Sequence, residues 1–218
     1  MMKQKIYIGS IILALICAAL LTGCFGRTKQ PFVMDQYTLD YTSPEVRADQ
    51  KAIDELVTVQ RFSVAPQFNS TSMMVRTGQY RFDAYDHSRW HVNPADMLTG
   101  FILRDITQSG MFKGTYSYYD TELSRYVLEG YIDEFGETSD ARAAVGIRIT
   151  LLDTSQQNPA GQILFQSHYA EAAPISDRSA LSLAAGLSHA MRNLSARLIN
   201  DIDQALNASR RTGTGKTK

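Results

Sequence analysis

Cys24 is the residue whose side-chain type and surroundings predict a defined chemistry. It ends the sequence Leu-Thr-Gly-Cys, directly after an uncharged apolar run at residues 6–21 that follows Lys3 and Lys5. The small residue Gly23 lets a peptidase approach the backbone, and the thiol of Cys24 is able to accept a diacylglycerol group. The pattern therefore predicts cleavage before Cys24 and lipidation of its thiol.

This pattern resembles a bacterial lipobox, the signal at which a lipoprotein precursor is cut and lipidated. The apolar run has about the length of a signal-peptide core and is short for a membrane span, which needs roughly 20 apolar residues. We therefore interpret residues 1–23 as a lipoprotein signal peptide. The alternative interpretation is an uncleaved N-terminal anchor helix.

Processing at this site has consequences for the rest of the chain. Cleavage would remove Cys17 and lipidation would occupy Cys24, so that no disulfide could form. Acyl chains stabilise membrane association by about 0.8 kcal/mol per buried CH₂. The second mature residue would be Phe25, not the Asp that retains many lipoproteins of Gram-negative bacteria in the inner membrane. The resemblance to known lipoproteins thus implies an outer-membrane anchor and a soluble domain on the periplasmic face.

The other reactive side chains form no recognisable catalytic or metal site. His87 and His91 have a four-residue spacing that suits a metal site on a helix, but they fall in a predicted strand-to-helix turn. The sequence GTGKT at residues 213–217 lacks the earlier glycine of a phosphate-binding loop. Asp133 and Glu134 are adjacent on a predicted strand and would point to opposite faces. We therefore expect a protein that is not an enzyme and that uses no metal and no cofactor.

Trp90, the single tryptophan, follows Arg89 just before a predicted helix. An amphipathic ring beside an arginine is typical of binding hot spots, so both residues are candidates for contact with a partner. The alternative is that Trp90 closes the core beneath the helix while Arg89 lies at the surface. Tyr116, Tyr118 and Tyr119 likewise belong either to an exposed contact loop or to a strand.

The composition is that of an ordinary globular protein. Hydrophobic residues make up 44% of the chain and charged residues 20%, which excludes a wholly disordered chain and a multi-span membrane protein. The 22 basic and 22 acidic residues balance, so no general attraction for phosphate groups exists and we expect no nucleic-acid partner.

Local composition divides the mature chain into three parts. Residues 24–36 form a lipidated tether, and residues 37–207 form one domain. Residues 208–218 are basic and rich in Gly and Thr, which predicts a disordered tail.

Alternating apolar and polar residues predict the strands of this domain. They lie at residues 37–41, 56–65, 73–76, 79–85, 125–135, 143–152 and 162–171. The third and fourth flank Thr77-Gly78 and predict a hairpin, and Pro66 stops the second. The last three are predicted to form an antiparallel meander.

Two helices are predicted from caps and apolar spacing. Asn93 followed by Pro94 predicts a helix over residues 93–109 that ends at Gly110. Residues 177–206 form a second helix with an apolar stripe at spacings of three and four, namely Leu183, Leu187, Met191, Leu194, Leu198, Ile202 and Leu206. We therefore predict an α+β fold, a mainly antiparallel sheet of six or seven strands with two helices packed on one face.

Three motifs carry a resemblance to a known family. They are YTLD at residues 37–40, Arg89-Trp90 before the first helix, and LEGYIDEF at residues 128–135. Their order resembles the ABC-type transport auxiliary lipoprotein family from about Tyr37 to Leu206. That family includes the lipoprotein partners of MCE-type lipid transport systems, the paraquat-inducible system among them. The resemblance implies a non-catalytic accessory of an envelope transport machine.

The leading hypothesis is therefore an outer-membrane lipoprotein that docks a periplasm-spanning component of an ABC or MCE-type lipid transport system. Its partners would be the membrane, through Cys24, and the transporter components. Self-association would give such a component a landing platform. Two alternatives stay open: a structural accessory of an outer-membrane export or secretion pore, and a periplasmic carrier of lipids or small molecules.

Overall fold

The computed structural model describes residues 33–45, 52–155 and 163–213. The predicted signal peptide, Cys24 and most of the predicted tether lie outside the described residues. The described residues from Met34 onward belong to one compact unit. No helix within the described ranges has the length and apolar character that crossing a membrane requires.

Nine strands and two helices occur in the described ranges. The strands are β1 (Asp35–Tyr37), β2 (Ile53–Val59), β3 (Ser63–Val64), β4 (Ser72–Gly78), β5 (Arg81–Trp90), β6 (Phe112–Ser117), β7 (Tyr126–Glu137), β8 (Arg142–Asp153) and β9 (Ile163–Pro174). The helices are α1 (Pro94–Ser109) and α2 (Ala180–Gly213), and a single 3₁₀ turn spans Pro66–Phe68.

Strand β7 organises the sheet because both of its edges are paired. Along one edge it pairs antiparallel with β8, which pairs antiparallel with β9. Along the other edge β2, β3 and β4 pair with it in succession, all parallel. The sheet then continues from β2 to β6 and from β4 through β5 to β1.

The α+β prediction is confirmed, and so is the antiparallel meander of β7, β8 and β9. The sheet as a whole is mixed, however, and has nine strands rather than six or seven. Alternation in a sequence shows which face of a strand is buried but not which strand lies beside it. The chain from β2 to β6 runs through β3, β4, β5 and α1, and this long connection permits the parallel pairing of β6 with β2.

Several predicted boundaries differ from the structure, and strand β6 has no counterpart among the seven predicted strands. The second hairpin strand covers Arg81–Trp90 rather than residues 79–85. The first strand covers residues 35–37 rather than 37–41, because Leu39 leaves the sheet for the core. The predicted strand at 56–65 is divided into β2 and β3. Helix α2 continues through Gly213, so residues 208–213 of the predicted tail are helical. Lengthening an existing helix adds one hydrogen bond per residue without a new nucleation cost.

The signals for α1 are confirmed in detail. The side-chain oxygen of Asn93 accepts a hydrogen bond from the Ala95 amide at 2.9 Å, and Pro94 occupies the first turn. Gly110 ends the helix with φ at 63°, in the left-handed region that favours glycine.

One face of the sheet carries both helices. All seven residues of the predicted α2 stripe are buried, together with Val145, Ile147, Ile149 and Leu151 of β8. Met97, Leu98, Ile102 and Ile106 of α1 belong to the same core. Full burial of an aliphatic side chain contributes roughly 1.5–3 kcal/mol, so the α2 stripe is a major source of stability.

An ion-pair cluster fixes the start of the meander. Arg125 donates to Asp153 at 3.0 and 3.1 Å and to Glu55 at 2.6 Å, which joins β2 to the ends of β7 and β8. Burial opposes ionisation of Asp153, but the hydrogen bonds from Arg125 and Ser155 outweigh it and hold the pKa of this carboxyl below its usual value. The carboxylate therefore stays charged where the ion pair needs it.

Gly130 allows a close approach between β7 and the chain after β2. A Cβ atom built on Gly130 would lie 2.6 Å from the ring of Phe62, which is fully buried. No real Cβ tolerates that distance, so the absence of a side chain at Gly130 lets Phe62 enter the core.

We predict that Gly130→Ala lowers the free energy of unfolding by about 1–3 kcal/mol through overpacking against Phe62. Gly100→Ala is the matched control, since Gly100 lies exposed on α1 with open space around its Cβ position. Loss of glycine entropy should make that variant more stable by about 0.5–1 kcal/mol. Urea unfolding of the full-length proteins in detergent measures both changes. Equal stability of the two variants would contradict the packing account.

Candidate functional site

Trp90 lies in the core, while Arg89 is exposed on the same strand. The side chain of Trp90 is 1% exposed, and its ring centroid lies 5.1 Å from that of Phe135. Its Nε1 atom has no hydrogen-bond partner among the described residues. Trp90 thus closes the core at the end of β5. The contact of Arg89 and Trp90 with a partner stays a prediction.

The segment after β1 attaches the N-terminal part of the domain to both helices. Tyr37 pairs with Trp90, and its carbonyl accepts a hydrogen bond from the His91 amide at 2.7 Å. Three residues later the amide of Asp40 donates to the Ser188 hydroxyl of α2 at 2.9 Å. The YTLD motif therefore forms a connection between the sheet edge and the helices.

A buried carboxylate completes this attachment. Asp105 of α1 accepts hydrogen bonds from Tyr41 at 2.8 Å, from Ser43 at 2.5 Å and from Ser195 of α2 at 2.6 Å. Arg104 donates to the same carboxylate at 2.7 and 2.9 Å. These five residues, the Asp105 cluster, join the N-terminal segment to α1 and α2.

Aromatic stacking shields the cluster from water. The rings of Tyr41 and Phe101 stack at 5.1 Å, and the guanidinium of Arg104 lies about equally close to both ring centroids, at 4.5 and 4.6 Å. Burial and the negative charge of Asp105 raise the pKa of the Tyr41 hydroxyl far above its usual value. Tyr41 therefore remains a hydrogen-bond donor at any physiological pH.

A polar groove of about 380 Å³ lies on the face of the sheet opposite the helices. Its lining residues are Gln60, Arg61, Ser63, Glu129, Gly130, Tyr131, Arg148, Thr150 and Gln166. The pairing register places Tyr131 beside Arg148, and Thr150 beside both Glu129 and Gln166. The guanidinium of Arg148 lies 6.0 Å from the Tyr131 ring centroid. The groove thus offers an aromatic ring, two arginines and several hydrogen-bonding side chains.

A second concavity of about 410 Å³ continues along this face. Here Asp133 of β7 reaches across β8 and pairs with His168 of β9, at 2.9 Å between Oδ2 and Nε2. A Cβ atom on Gly146 would collide with the Asp133 carboxylate. Glycine at this position of β8 therefore lets the Asp133 side chain cross the strand and reach His168. The outer face of the meander is therefore polar along much of its length.

A tyrosine-containing turn lies near the groove. Arg61 forms a bidentate ion pair with Asp96 of α1, at 2.5 and 3.0 Å. Hydrogen bonds from Arg61 and from Tyr118 lower the pKa of the Asp96 carboxyl. The ring centroids of Tyr118 and Tyr119 lie 4.1 Å apart with the rings tilted, and Tyr119 is 80% exposed. Tyr116 belongs to β6, whereas Tyr118 and Tyr119 belong to the turn that follows. The segment is therefore a strand at Tyr116 and a turn at Tyr118 and Tyr119, and a contact role for this turn stays a prediction.

The sequence alone did not single out Arg61, Tyr131 and Arg148 as site residues. The signal available was the alternation of β7 and β8, in which Glu129, Tyr131, Arg148 and Thr150 are the polar positions. That pattern identifies the outward face of each strand. It does not show that three strands align these residues into one groove.

The histidines are dispersed. His87 lies on β5 and His91 directly follows it, so their four-residue spacing falls on extended chain rather than on a helix. The Nδ1 atom of His91 lies 2.8 Å from the side-chain oxygen of Gln36. Within the part of the chain that the structure describes, no group of three or more His, Cys, Asp or Glu side chains is placed to hold a metal ion.

Comparison with known proteins gives one family match. The family model described as ABC-type transport auxiliary lipoprotein component matches residues 37–208. No curated protein matches the chain.

Several solved structures are similar to most of the chain, and two of them serve as examples. A protein of Xanthomonas campestris, assigned to a domain family of unknown function, has a TM-score of 0.70 at 16% identity and covers 82% of this chain and 99% of its own. An uncharacterised protein has a TM-score of 0.61 at 11% identity, with 78% and 99% coverage. At these identities the likeness concerns the fold alone.

We predict that Tyr41→Phe lowers the free energy of unfolding by about 1.5–3 kcal/mol, because it removes a hydrogen bond to a buried charge while it keeps the stacked ring. Tyr119→Phe is the matched control, since the Tyr119 ring is exposed, and it should leave stability unchanged. Urea unfolding followed by circular dichroism compares the two variants. An unchanged midpoint for Tyr41→Phe would show that the Asp105 cluster does not hold the N-terminal segment.

Proposed function

The chain belongs to the ABC-type transport auxiliary lipoprotein family, and we propose that it is a non-catalytic outer-membrane lipoprotein that docks a periplasm-spanning component of an MCE-type lipid transport system. The observation that carries the proposal is the family match over residues 37–208, together with Cys24 in a lipobox-like sequence. This function requires position and surface, and it needs no metal or cofactor.

The anchoring part of the proposal concerns residues 1–36. Cleavage after Gly23 leaves a lipidated Cys24, and Phe25 at the next position favours the outer membrane. The tether then leads into β1 and the YTLD motif. The Asp105 cluster supports this role, because a load on the N-terminal tether would be shared by both helices rather than borne by a three-residue edge strand.

The docking part of the proposal concerns the polar groove. Tyrosine and arginine are enriched at protein interfaces and at their energetic centres. Tyr131 and Arg148 present both chemistries on a sheet face that carries neither α1 nor α2, and Arg61 lines the same groove while it pairs with Asp96 of α1. Arg89 and Trp90 remain candidates for the partner site. Arg89 would contact a partner through its exposed side chain, and the buried Trp90 would act only by holding β5 in place.

Self-association is part of the proposal. Several copies around one transport component would present several polar grooves to it, and weak individual contacts would then add up through multivalency. The membrane anchor would favour such assembly by confining the copies to a surface.

The anchor is tested by metabolic labelling with an alkyne fatty acid. We expect label on the wild-type protein and none on Cys24→Ala, together with loss of mature-size protein from outer-membrane fractions, because the acyl acceptor is gone. Cys17→Ala is the matched control and should be labelled like the wild type. Labelled Cys24→Ala, or an unlabelled wild type, would contradict the anchor.

Docking is tested by in-cell photocrosslinking from position 131. A benzophenone side chain in place of Tyr131 should capture an MCE-type or ABC transport component, and Arg148→Glu should reduce the yield severalfold because it removes the neighbouring guanidinium. The same photoreactive residue at Arg192, exposed on α2 away from the groove, is the control. Equal adducts from both positions, or an outer-membrane pore protein as the captured partner, would contradict the docking proposal.

A further inference from the structure

Strand β1 begins near one end of the sheet, which we call the tether end. Asp35 lies beside Ser88 of the parallel strand β5. Strand β5 starts at Arg81, seven residues before Ser88, where Arg81 pairs with Gly78 at the β4–β5 turn. At about 3.3 Å per residue, this turn extends about 23 Å beyond Asp35. It lies in the direction from which the chain of β1 arrives.

Other parts of the domain reach the same end. Val75 of β4 pairs with Glu137, the last residue of β7, and Glu137 pairs with Ala143 near the start of β8. Pro174, the last residue of β9, pairs with Arg142. The tether end is therefore formed by the β4–β5 turn, the β7–β8 turn, and the connection from β9 into the first turn of α2.

This end carries large apolar side chains in exposed positions. Tyr80 in the β4–β5 turn is 90% exposed, and Leu181 in the first turn of α2 is 67% exposed. Beside Leu181 lies a groove of about 550 Å³ whose walls are mainly apolar and include Pro174, Ile175 and Ala185. Exposed apolar surface of this kind marks sites of interaction.

The charges around these side chains are of both signs. Arg81 is exposed and lies 3.8 Å from Asp83, while Arg178 donates to the Ser139 carbonyl at 2.8 Å and lies beside Asp177 in sequence. Such a surface has no strong net field to offer a charged partner. It does suit a bilayer interface, where tyrosine rings reside at headgroup level and arginine stems extend through apolar surroundings to polar ones.

The length of the tether limits how far this end can be from lipid. Asp35 lies 11 residues after Cys24, and this length spans at most about 38 Å when fully extended. The β4–β5 turn already covers about 23 Å of such a distance in the direction from which β1 comes. If the tether approaches β1 along the direction of that strand, any conformation short of full extension brings the tether end close to the headgroups.

We propose that the tether end is a second membrane-contacting site, with Tyr80 and Leu181 inserted at the level of the lipid headgroups. The proposal rests on the lipid anchor at Cys24 described above. The acyl chains hold the protein on the bilayer, and this contact sets its orientation. The turn that carries Tyr119, next to the other end of β7, then points away from the membrane.

The test measures the depth of spin labels on the full-length lipidated protein in phosphatidylcholine vesicles. Single substitutions Tyr80→Cys and Leu181→Cys place a nitroxide at the tether end, and Leu123→Cys, 95% exposed just before β7, places the control at the other end. We expect the ratio of nitroxide collisions with dissolved oxygen to collisions with a water-soluble nickel chelate to be severalfold higher at positions 80 and 181 than at position 123. The nickel chelate should dominate at position 123.

The outcomes separate this proposal from the one on which it rests. Unsubstituted protein should take up no label, because the thiol of Cys24 is acylated. Label on that protein would overturn the anchor and the membrane contact together. If the unsubstituted protein takes up no label but the labels at positions 80 and 181 of the variants are exposed to water, the membrane contact alone is overturned. The labels could also be shielded from both reagents in native outer membranes. That result would mean that a protein covers this end, and it too would overturn the membrane contact.

Discussion

The arrangement of this domain depends on the buried carboxylate of Asp105. A charge in the protein interior is tolerated only where hydrogen bonds and an opposite charge replace water. Here three hydroxyls and one guanidinium do so, and they come from the segment after β1, from α1 and from α2. Because the carboxylate is satisfied only when all three parts are in place, the cluster specifies their mutual position as well as stabilising it. The N-terminal segment is thereby fixed to the two helices that cover the sheet.

The two faces of the sheet carry different kinds of side chain. One face is covered by the apolar sides of α1 and α2, and the other presents the polar groove and the Asp133–His168 pair. Two glycines make the separation possible. Gly130 admits the ring of Phe62 into the core, and Gly146 clears a path for a carboxylate across the outer face. Polar side chains on the outer face can therefore vary without changing the residues that hold the fold together.

The chain belongs to a transport auxiliary lipoprotein family, and the positions of these features along the sheet are consistent with a lipid-anchored module. The chain enters the domain at one end of the sheet, and the Asp105 cluster secures that entrance. The groove lies midway along β7, and the turn with Tyr119 lies near the beginning of the same strand. An anchored module of this kind would act by holding a surface at a defined height and orientation above a bilayer. Such a role would depend on the position of the domain and on its exposed tyrosine and arginine side chains.

The sequence by itself determined the local elements and the family. The Asn93-Pro94 cap, the stripe from Leu183 to Leu206 and the alternation of the last three strands depend on short spacings, which a sequence displays directly. Cys24 is likewise a local motif, and its lipidation stays a prediction. Only the tertiary structure decided that β2, β3 and β4 share one edge of β7, that Trp90 faces the core, and that Arg61, Tyr131 and Arg148 line one groove. The partners of Asp105 lie 62 to 90 residues away in the chain, Arg104 excepted. Spacing in a sequence defines the faces of an element, but partners this distant are selected by the packing of the whole chain.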